Sequence, residues 1–307
     1  MPEKQILVIK FGGLGDVILS LTAIYSIKSK FKNHKILMLT EEPYDLILKR
    51  SKWFDNIITI KRSFLYLNDI FEIKKKIDIN SIDFVFDLQT SARSSKYLRL
   101  FKKEKVKING IGKFANITHR NKKRNLMHTI ERQKDQLKNS NITTKKKIDL
   151  NWLFDSEKVK RIDNRFALIV PGGSKKRKYK RIPKEIFSEI IQELLYNSIV
   201  PILIGSEDDR LICDQLKNNN PRIRNFCNKT SIFQIAYLSK RSIISFGNDT
   251  GPMHIISMGN RPTLVFYTKN SDARLCGQVG NSTIIMNYNN SKESFTEQVM
   301  TNIRKLI

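Results

Sequence analysis

The chain has 307 residues, more than one compact core usually holds, so two domains of about 150 residues each are expected. Its 40% hydrophobic and 28% charged residues are typical of a soluble globular protein, and no run approaches the roughly 20 apolar residues that span a bilayer. The net charge of +27 favours polyanionic partners (nucleic acid, an anionic membrane or phosphorylated substrates), although a compositional drift toward Lys, Ile and Asn explains it equally well.

Short apolar runs alternate with amphipathic stretches in the first half of the chain. Gln5–Phe11 is a nearly continuous apolar run, as expected for a strand that is buried on both faces. After Gly12-Gly13, apolar residues from Val17 onward recur at helical spacing. Further strands are predicted at Lys35–Thr40, Asn56–Ile60 and Asp83–Leu88. This alternation predicts a parallel sheet covered by helices.

The middle of the chain lacks this pattern. Residues 102–147 are basic, rich in Asn and weakly periodic, so loops and short helices that border a cleft are predicted there. The polar segment Asp155–Arg165 has no apolar period and is predicted to be a linker. The predicted domains are therefore residues 1–160 and residues 161–307.

The strand–helix pattern restarts in the second half. Phe166–Val170 predicts a buried strand, and Pro183–Tyr196 predicts a helix with proline in its first turn. Ser294 and Glu297 have the spacing of a capping box at the start of a last helix. Further strands are predicted at Ile199–Ile204, Ser242–Phe246, Pro262–Tyr267 and Thr283–Met286. Ligands of such sheets bind at the carboxyl ends of the strands, where the glycine turns of this chain fall.

The first candidate site is the segment from Gly12 to Asp16, which follows a strand and opens a helix. Glycine allows close backbone approach, and the N–H groups of a helix N-terminus attract anions. The segment is an incomplete dinucleotide fingerprint, because Ile18 stands in the place of the third glycine. Asp16 has two interpretations: it stabilises the helix dipole, or it acts as a general base toward a hydroxyl.

A second candidate site lies at the strand end after Ser242–Phe246. Thr250 and Gly251 present a hydroxyl and backbone N–H groups at a helix start, which suits a diphosphate. Asp249 has an alternative role as a helix cap. His254 lies one turn further on, where it either binds a phosphate or packs in the core.

Two more strand ends carry polar residues. Pro171–Ser174 is followed by the basic run Lys175–Arg181, which is either a solvated loop or a source of cations for a leaving diphosphate. Gly205-Ser206-Glu207 ends another strand, and a carboxylate there is well placed for ribose hydroxyls.

Together these segments resemble the ADP-heptose:lipopolysaccharide heptosyltransferases and their relatives, glycosyltransferase family 9. The resemblance follows the order of the chain through ILVIKFGGLGDVILSLTAI near the start, DFVFDLQTSARS at 83–94, LMHTIERQ at 126–133, VPGGS and KRIP within 170–183, ILIGSEDD at 202–209, and GNDTGPMHIISMGNRPTLVFY at 247–267. It implies an α/β protein with a GT-B fold, in which two Rossmann-like domains have parallel sheets that face each other across a cleft.

The resemblance also implies an inverting, metal-independent transfer with no cofactor, in which ADP-heptose is the donor substrate. Asp16 is the implied base, which deprotonates the acceptor hydroxyl. The implied donor-binding residues, in the C-terminal domain, are Ser174, Lys180, Glu207, Asp249, Thr250, Gly251 and His254. The implied acceptor-binding residues, in the N-terminal domain, are Gly13, Arg93, His128 and Arg132.

The sequence departs from the family pattern at two places. Ile182 stands where the family commonly has Trp, and Tyr267-Thr268-Lys269 replaces its Gly-Pro-Thr. Because the second segment borders the donor, the identity of the sugar stays open.

Two alternatives to the transferase stay open: a nicotinamide-dependent oxidoreductase, which Ile18 disfavours, and a basic nucleic-acid-binding protein, which has no recognised module here. The transferase interpretation predicts these partners: a nucleotide-sugar donor, a phosphorylated glycolipid or glycan acceptor, and the anionic inner membrane surface as a peripheral contact. It predicts no specific nucleic acid. Three cysteines without a CxxC pair and the lack of a signal-peptide pattern predict a cytoplasmic protein with reduced thiols.

Overall fold

The computed structural model describes residues 4–155, 157–159, 162 and 164–307, without the side chain of Lys176. The chain divides into two compact units, Met1–Leu150 and Asn151–Ile307. The predicted boundary between residues 160 and 161 lies outside the described residues.

The first unit is a parallel sheet with helices. Its strands are β1 (Gln5–Ile9), β2 (Lys35–Thr40), β3 (Asn56–Thr59), β4 (Ile82–Asp87), β5 (Lys107–Gly110) and β6 (Ile117–Thr118). Its helices are α1 (Leu14–Lys30), α2 (Tyr44–Ser51), α3 (Tyr66–Lys76), α4 (Ala92–Tyr97) and α5 (Thr129–Lys138). Short 3₁₀ turns span Ile79–Ser81, Leu98–Phe101 and Arg124–Leu126.

The second unit repeats this plan. Its strands are β7 (Phe166–Val170), β8 (Val200–Leu203), β9 (Arg224–Asn225), β10 (Ile244–Asn248), β11 (Thr263–Thr268) and β12 (Thr283–Tyr288). Its helices are α6 (Asn151–Phe154), α7 (Lys184–Tyr196), α8 (Arg210–Lys217), α9 (Ile232–Ser239), α10 (Gly251–Ser257), α11 (Ala273–Cys276) and α12 (Lys292–Leu306). Lys175–Lys180 and Glu207–Asp209 form 3₁₀ turns.

Both sheets have the same doubly wound topology. The strand orders are β3-β2-β1-β4-β5-β6 and β12-β11-β10-β7-β8-β9, and the pairs throughout are parallel. In each unit the first strand therefore pairs with both the second and the fourth. At such a switch point the connections leave in opposite directions, which opens a crevice at the carboxyl ends of the strands. The predicted α/β class with two Rossmann-like units is confirmed.

The cores explain why the apolar runs are continuous. Leu7 and Ile9 on one face of β1, and Val8 on the other, are fully buried, because helices cover both faces of the sheet. In α7, Ile186, Ile190 and Leu194 recur every four residues and are fully buried.

The structure corrects two sequence-based predictions. The weakly periodic residues 102–147 contain two strands, β5 and β6, and the ten-residue helix α5. The capping box predicted at Ser294 is wrong, because α12 begins at Lys292 and Ser291 occupies the cap position. Its buried stripe starts at Phe295, one turn before Val299, which places Ser294 inside the first turn.

None of the helices in the described part of the chain is long and apolar enough to cross a membrane. The three cysteines, Cys213, Cys227 and Cys276, all lie in the described part of the chain and form no disulfide bond.

Candidate active site

In the second unit, three loops meet at the carboxyl ends of the central strands. Pro171–Ser174 follows β7, Gly205–Asp209 follows β8, and Asp249–Thr250 follows β10. All three were predicted as candidate loops. The buried Asn248 joins two of them: its Nδ2 donates to the carbonyl oxygens of Pro171 and Gly172 at 2.7 and 3.1 Å. Its Oδ1 accepts the N–H of Ile182 at 3.1 Å, which fixes the end of the basic run as well.

Asp209 joins the loop after β8 to the loop after β7. Its Oδ2 accepts hydrogen bonds from the N–H and the hydroxyl of Ser206, both at 2.9 Å. Its Oδ1 accepts the N–H of Gly173 at 2.8 Å and a guanidinium N–H of Arg181 at 3.2 Å. A side chain at Gly172 has no room, because a Cβ there would lie 2.0 Å from the same oxygen. The loops are therefore held rigidly around one buried carboxylate.

Lys180 and Asp249 form an ion pair in the middle of this arrangement. The Nζ of Lys180 lies 2.6 Å from Oδ2 of Asp249, and Gln278 donates to Oδ1 at 3.1 Å. Burial by itself raises the pKa of the Asp249 carboxyl, but the Lys180 ammonium and the Gln278 amide outweigh burial and hold it below its ordinary value. The predicted alternative role of Asp249 as a helix cap is not observed, because Thr250 is the cap residue of α10.

Thr250 contributes an unused hydroxyl to the site. Its Oγ1 is buried and has no hydrogen-bond partner among the described residues. Its methyl group lies against Gly173, where a Cβ would approach it to 3.0 Å. Because buried polar atoms are normally hydrogen-bonded, an unpartnered hydroxyl on the residue that follows Asp249 indicates a place for a polar ligand. Gly251 begins α10 directly after it, and His254 is buried one turn further on.

The remaining predicted donor residues lie at the edge of these loops. Ser174 is exposed and precedes the 3₁₀ turn that carries the basic run. The carboxylate of Glu207 is exposed, with contacts at 2.8 Å to Arg210 and to the Nδ2 of Asn228. Asn248, Asp209 and Gln278 were not foreseen, because they bond to residues distant in sequence. Asn248 was the easiest of the three to predict from the sequence, because it directly precedes the predicted Asp249.

In the first unit, Asp16 lies in the first turn of α1 and is exposed to solvent. This position is compatible with both the dipole role and the base role. Gly13 is the cap residue of α1, and the nearest atom to a Cβ built on it is the Asp16 Oδ2 at 4.0 Å, so the space in front of it is open.

A buried lysine lies at the end of β1, in the same unit as Asp16. Lys10 follows β1 and is only 4% exposed. Burial lowers the pKa of its ammonium group, Arg132 lowers it further, and the carboxylates of Asp16 and Asp87 oppose the effect. Sequence reasoning missed Lys10, although a charged residue at the end of an apolar strand was a signal for it.

Asp87 ends the neighbouring strand, β4, and is fully buried. Its Oδ1 accepts the N–H groups of Thr90 and Gln89 at 2.9 and 3.1 Å, and its Oδ2 accepts the hydroxyl of Ser94 at 3.0 Å. Burial raises the pKa of this carboxyl more than those bonds and Lys10 lower it, and the result is about 6.

We expect Asp87 to make stability fall as the pH rises from about 4 to about 6. The carboxyl has a pKa of about 6 in the folded chain, compared with 3.8 in the unfolded chain, so the folded state binds more protons than the unfolded state between these pH values. Urea denaturation should show that wild type loses up to about 3 kcal/mol across the window relative to Asp87→Asn. A difference between the two proteins that does not change with pH would contradict the assignment.

Helix α5 carries two predicted acceptor residues. His128 is its cap residue, with Nδ1 accepting the N–H of Ile130 at 3.3 Å, and Arg132 lies one turn later. The helix packs on α1, and Gln133 Nε2 donates to the Ser20 hydroxyl at 2.8 Å. Arg132 and Asp16 both shift the pKa of the Lys10 ammonium group, in opposite directions, and Lys10 follows the carboxyl end of β1.

Arg93, the remaining predicted acceptor residue, is engaged within the first unit. Its Nε donates to Asp69 Oδ2 at 2.9 Å and to the Tyr97 hydroxyl at 2.8 Å. The guanidinium also contacts the carbonyl oxygen of Ser63. The structure therefore places Arg93 in an internal network, and its role toward an acceptor stays a prediction.

Within the described part of the chain, no group of three or more His, Cys, Asp or Glu side chains is arranged to hold a metal ion.

Comparison with family models matches residues 70–304 to glycosyltransferase family 9 (heptosyltransferase). The match includes every predicted donor residue and starts after Asp16. A comparison with curated proteins gives no match.

Solved structures with the same architecture cover nearly the whole chain. Escherichia coli ADP-heptose lipopolysaccharide heptosyltransferase II has 15% identity and a TM-score of 0.76, with 98% of each chain covered. Escherichia coli heptosyltransferase WaaC with ADP has 18% identity and a TM-score of 0.78, with 99% of this chain and 100% of that chain covered. A family 9 glycosyl transferase from Veillonella parvula has 17% identity and a TM-score of 0.80, with 100% and 98% covered. These similarities confirm the predicted GT-B type of fold.

Proposed function

The chain belongs to glycosyltransferase family 9, and on that premise we propose that it transfers heptose from ADP-heptose to a lipopolysaccharide core or another glycan acceptor. The transfer proceeds with inversion, without a metal ion and without a cofactor. The observation that carries the donor half of this proposal is the Lys180–Asp249 pair, which is followed directly in the chain by Thr250 with its unpartnered hydroxyl.

The second unit binds the nucleoside diphosphate. Lys180 supplies the positive charge that a departing diphosphate needs, and Asp249 holds the ammonium group in place. Thr250 and the N–H groups that open α10 hydrogen-bond the phosphate oxygens, with Gly251 and His254 close by. Ser174 adds a hydroxyl at the phosphate loop, and Glu207 binds the ribose. Adenine is favoured because two related Escherichia coli structures contain ADP and ADP-2-deoxy-2-fluoro heptose.

The first unit binds and activates the acceptor. Asp16 accepts the proton of the attacking hydroxyl, which then displaces the diphosphate from the opposite face of the anomeric carbon. An acceptor that carries phosphate suits the positive charge of Arg132, whose guanidinium lowers the pKa of the buried Lys10. Gly13, with open space in front of it, Arg93 and His128 complete the proposed acceptor side.

The charge of the chain supports the proposed site of action. A protein with a net charge of +27 is attracted to the anionic inner face of the cytoplasmic membrane, where a phosphorylated glycolipid acceptor is available. We therefore propose a cytoplasmic enzyme that touches this membrane peripherally.

Thermal unfolding with added nucleotide tests the donor site and the metal independence together. ADP at about one hundred times its Kd should add about 2.7 kcal/mol of stability, which raises Tm, and EDTA should leave the shift unchanged because Lys180 neutralises the phosphates. UDP, GDP and NAD serve as comparison ligands. A Tm shift given by NAD and absent with ADP, or an ADP shift that EDTA abolishes and Mg²⁺ restores, would contradict the proposal.

A further inference from the structure

The segment between β3 and β4 displays four large apolar side chains to solvent. Phe64, Leu65, Leu67 and Phe71 are 99%, 60%, 76% and 67% exposed, respectively. We call these four residues the apolar patch. Single exposed apolar residues are common on protein surfaces, but four within eight positions are not.

Helical spacing separates the two faces of α3. Tyr66, Ile70 and Ile73 lie four and three residues apart, and they pack against the core of the first unit. Leu67 and Phe71 lie four residues apart on another side of the helix, and both are exposed. Lys74 and Lys75, also exposed, continue that outer row by three and four residues. The outer face is therefore apolar at its start and cationic at its end.

The loop that leads into α3 is tied down by hydrogen bonds. Buried Asp69 accepts the N–H of Ser63 at 2.8 Å through Oδ1 and binds Arg93 through Oδ2. The hydroxyl of Ser63 accepts the N–H of Leu65 at 3.1 Å. Tyr66 stacks on Tyr97, with ring centroids 5.6 Å apart. The apolar patch is thus presented by a braced loop and helix.

The charges around the apolar patch have one dominant sign. The exposed cations Lys61, Lys74 and Lys75 lie in the same segment, and Lys96 and Arg99 lie close to Tyr66. The segment 61–76 contains two acidic residues: Asp69 is buried, and Glu72 pairs with Lys76 at 2.8 Å. Anionic partners are therefore attracted to this surface.

We propose that the apolar patch and its lysines dock the enzyme on an anionic lipid surface. The apolar side chains enter the boundary between headgroups and acyl chains, and Lys61, Lys74 and Lys75 face the lipid phosphates. The inference deepens the proposed membrane contact and does not depend on the transfer reaction.

Other occupants fit these observations less well. A second copy of this chain, related by two-fold symmetry, would bring like-charged lysines together at the contact. Nucleic acid binds cations and stacks bases on aromatic side chains, but gains little from Leu65 and Leu67.

Flotation of the full-length chain with vesicles tests the proposal. Vesicles of equal parts phosphatidylcholine and phosphatidylglycerol should bind wild type, whereas phosphatidylcholine alone should bind it weakly. The triple variant Phe64→Ser/Leu67→Ser/Phe71→Ser should lose affinity by a factor of about ten or more, because apolar burial at the lipid is lost. The double variant Lys74→Gln/Lys75→Gln should lose a similar factor of about ten.

Matched controls come from the second unit. Lys229→Gln/Lys305→Gln removes the same charge from exposed positions, and Tyr196→Ser/Leu211→Ser removes exposed apolar side chains. Both controls should bind vesicles nearly as wild type does. Equal losses in the controls would overturn the proposal, as would a loss in the lysine variant with full binding in the triple variant. Patch-dependent dimers in sedimentation, or RNA binding that the triple variant abolishes, would also overturn it.

The ADP-induced rise in Tm separates this proposal from the proposed function. Every variant should retain that rise, because the substituted residues lie outside the donor loops, and it also confirms that each variant is folded. If wild type lacks the rise but shows patch-dependent flotation, the donor assignment is wrong and the docking surface is correct.

Discussion

Asp16→Asn should lower the rate of sugar transfer by a factor of about 10² to 10⁴ and leave the Kd for ADP unchanged. Asn has nearly the same shape as Asp but accepts no proton at neutral pH, so the acceptor hydroxyl loses its base. The donor loops lie in the other compact unit, Asn151–Ile307, and keep their own network. The measurement is kcat and KM for both substrates, with ADP affinity from calorimetry.

A control separates the base role from the dipole role. Glu185 is an exposed acidic residue in the first turn of α7, so Glu185→Gln removes a similar helix-dipole interaction. Each substitution should cost only about 0.3 to 1 kcal/mol of stability through the dipole. Transfer should fall only in Asp16→Asn. Full activity in that variant would show that Asp16 serves the helix alone.

Lys180→Gln should weaken ADP binding by a factor of about 10 to 100, because a charge-assisted hydrogen bond to phosphate is lost. It should also destabilise the chain by about 3 to 5 kcal/mol, since Asp249 is left as a buried carboxylate without its cation. Titration with ADP and urea denaturation measure the two effects separately.

A double variant and a neighbouring lysine sharpen this test. Lys180→Gln/Asp249→Asn should recover much of the lost stability, because the buried charge is removed, but should not recover ADP affinity. Lys178→Gln, at an exposed position in the same basic run, should leave both nearly unchanged. If Lys178→Gln weakens ADP binding as strongly as Lys180→Gln does, the basic run acts through its total positive charge, and the specific role proposed for Lys180 is wrong.

The sequence predicted the architecture well because both sheets are buried on both faces. Continuous apolar runs such as Phe166–Val170 are unambiguous strands when glycine turns follow them. The order of the strands places Gly12–Asp16 and Asp249–Gly251 at the switch point of their own sheet, where ligands bind.

Helix α5 shows where sequence reasoning failed. Its buried face includes Gln133 and Gln136, whose Nε2 groups donate to the Ser20 hydroxyl, Asn109 Oδ1 and the carbonyl oxygen of Asp87. Their Oε1 atoms are buried without a hydrogen-bond partner among the described residues. A search for apolar periodicity does not detect a helix that buries amides. The hydrogen-bond partners of those amides lie between 27 and 113 residues away, beyond any local pattern.

The donor loops show a similar limit. The motif around Asp249 predicted a polar site, but its contact with Lys180 spans 69 residues. The roles of Asp209 and Asn248 could not be predicted from the sequence for the same reason, because each residue joins loops that are separate in sequence. The family match gives no support to the oxidoreductase and nucleic-acid alternatives.

The most direct test of the proposed function is an incubation with ADP-heptose and a lipopolysaccharide core that lacks heptose. Chromatography measures the ADP released, and mass spectrometry measures the acceptor. We expect wild type to release ADP in an amount equal to the acceptor that has gained one heptose, and Asp16→Asn to do neither. An acceptor of unchanged mass in the presence of bound donor, or equal heptose gain in both proteins, would contradict the proposed function.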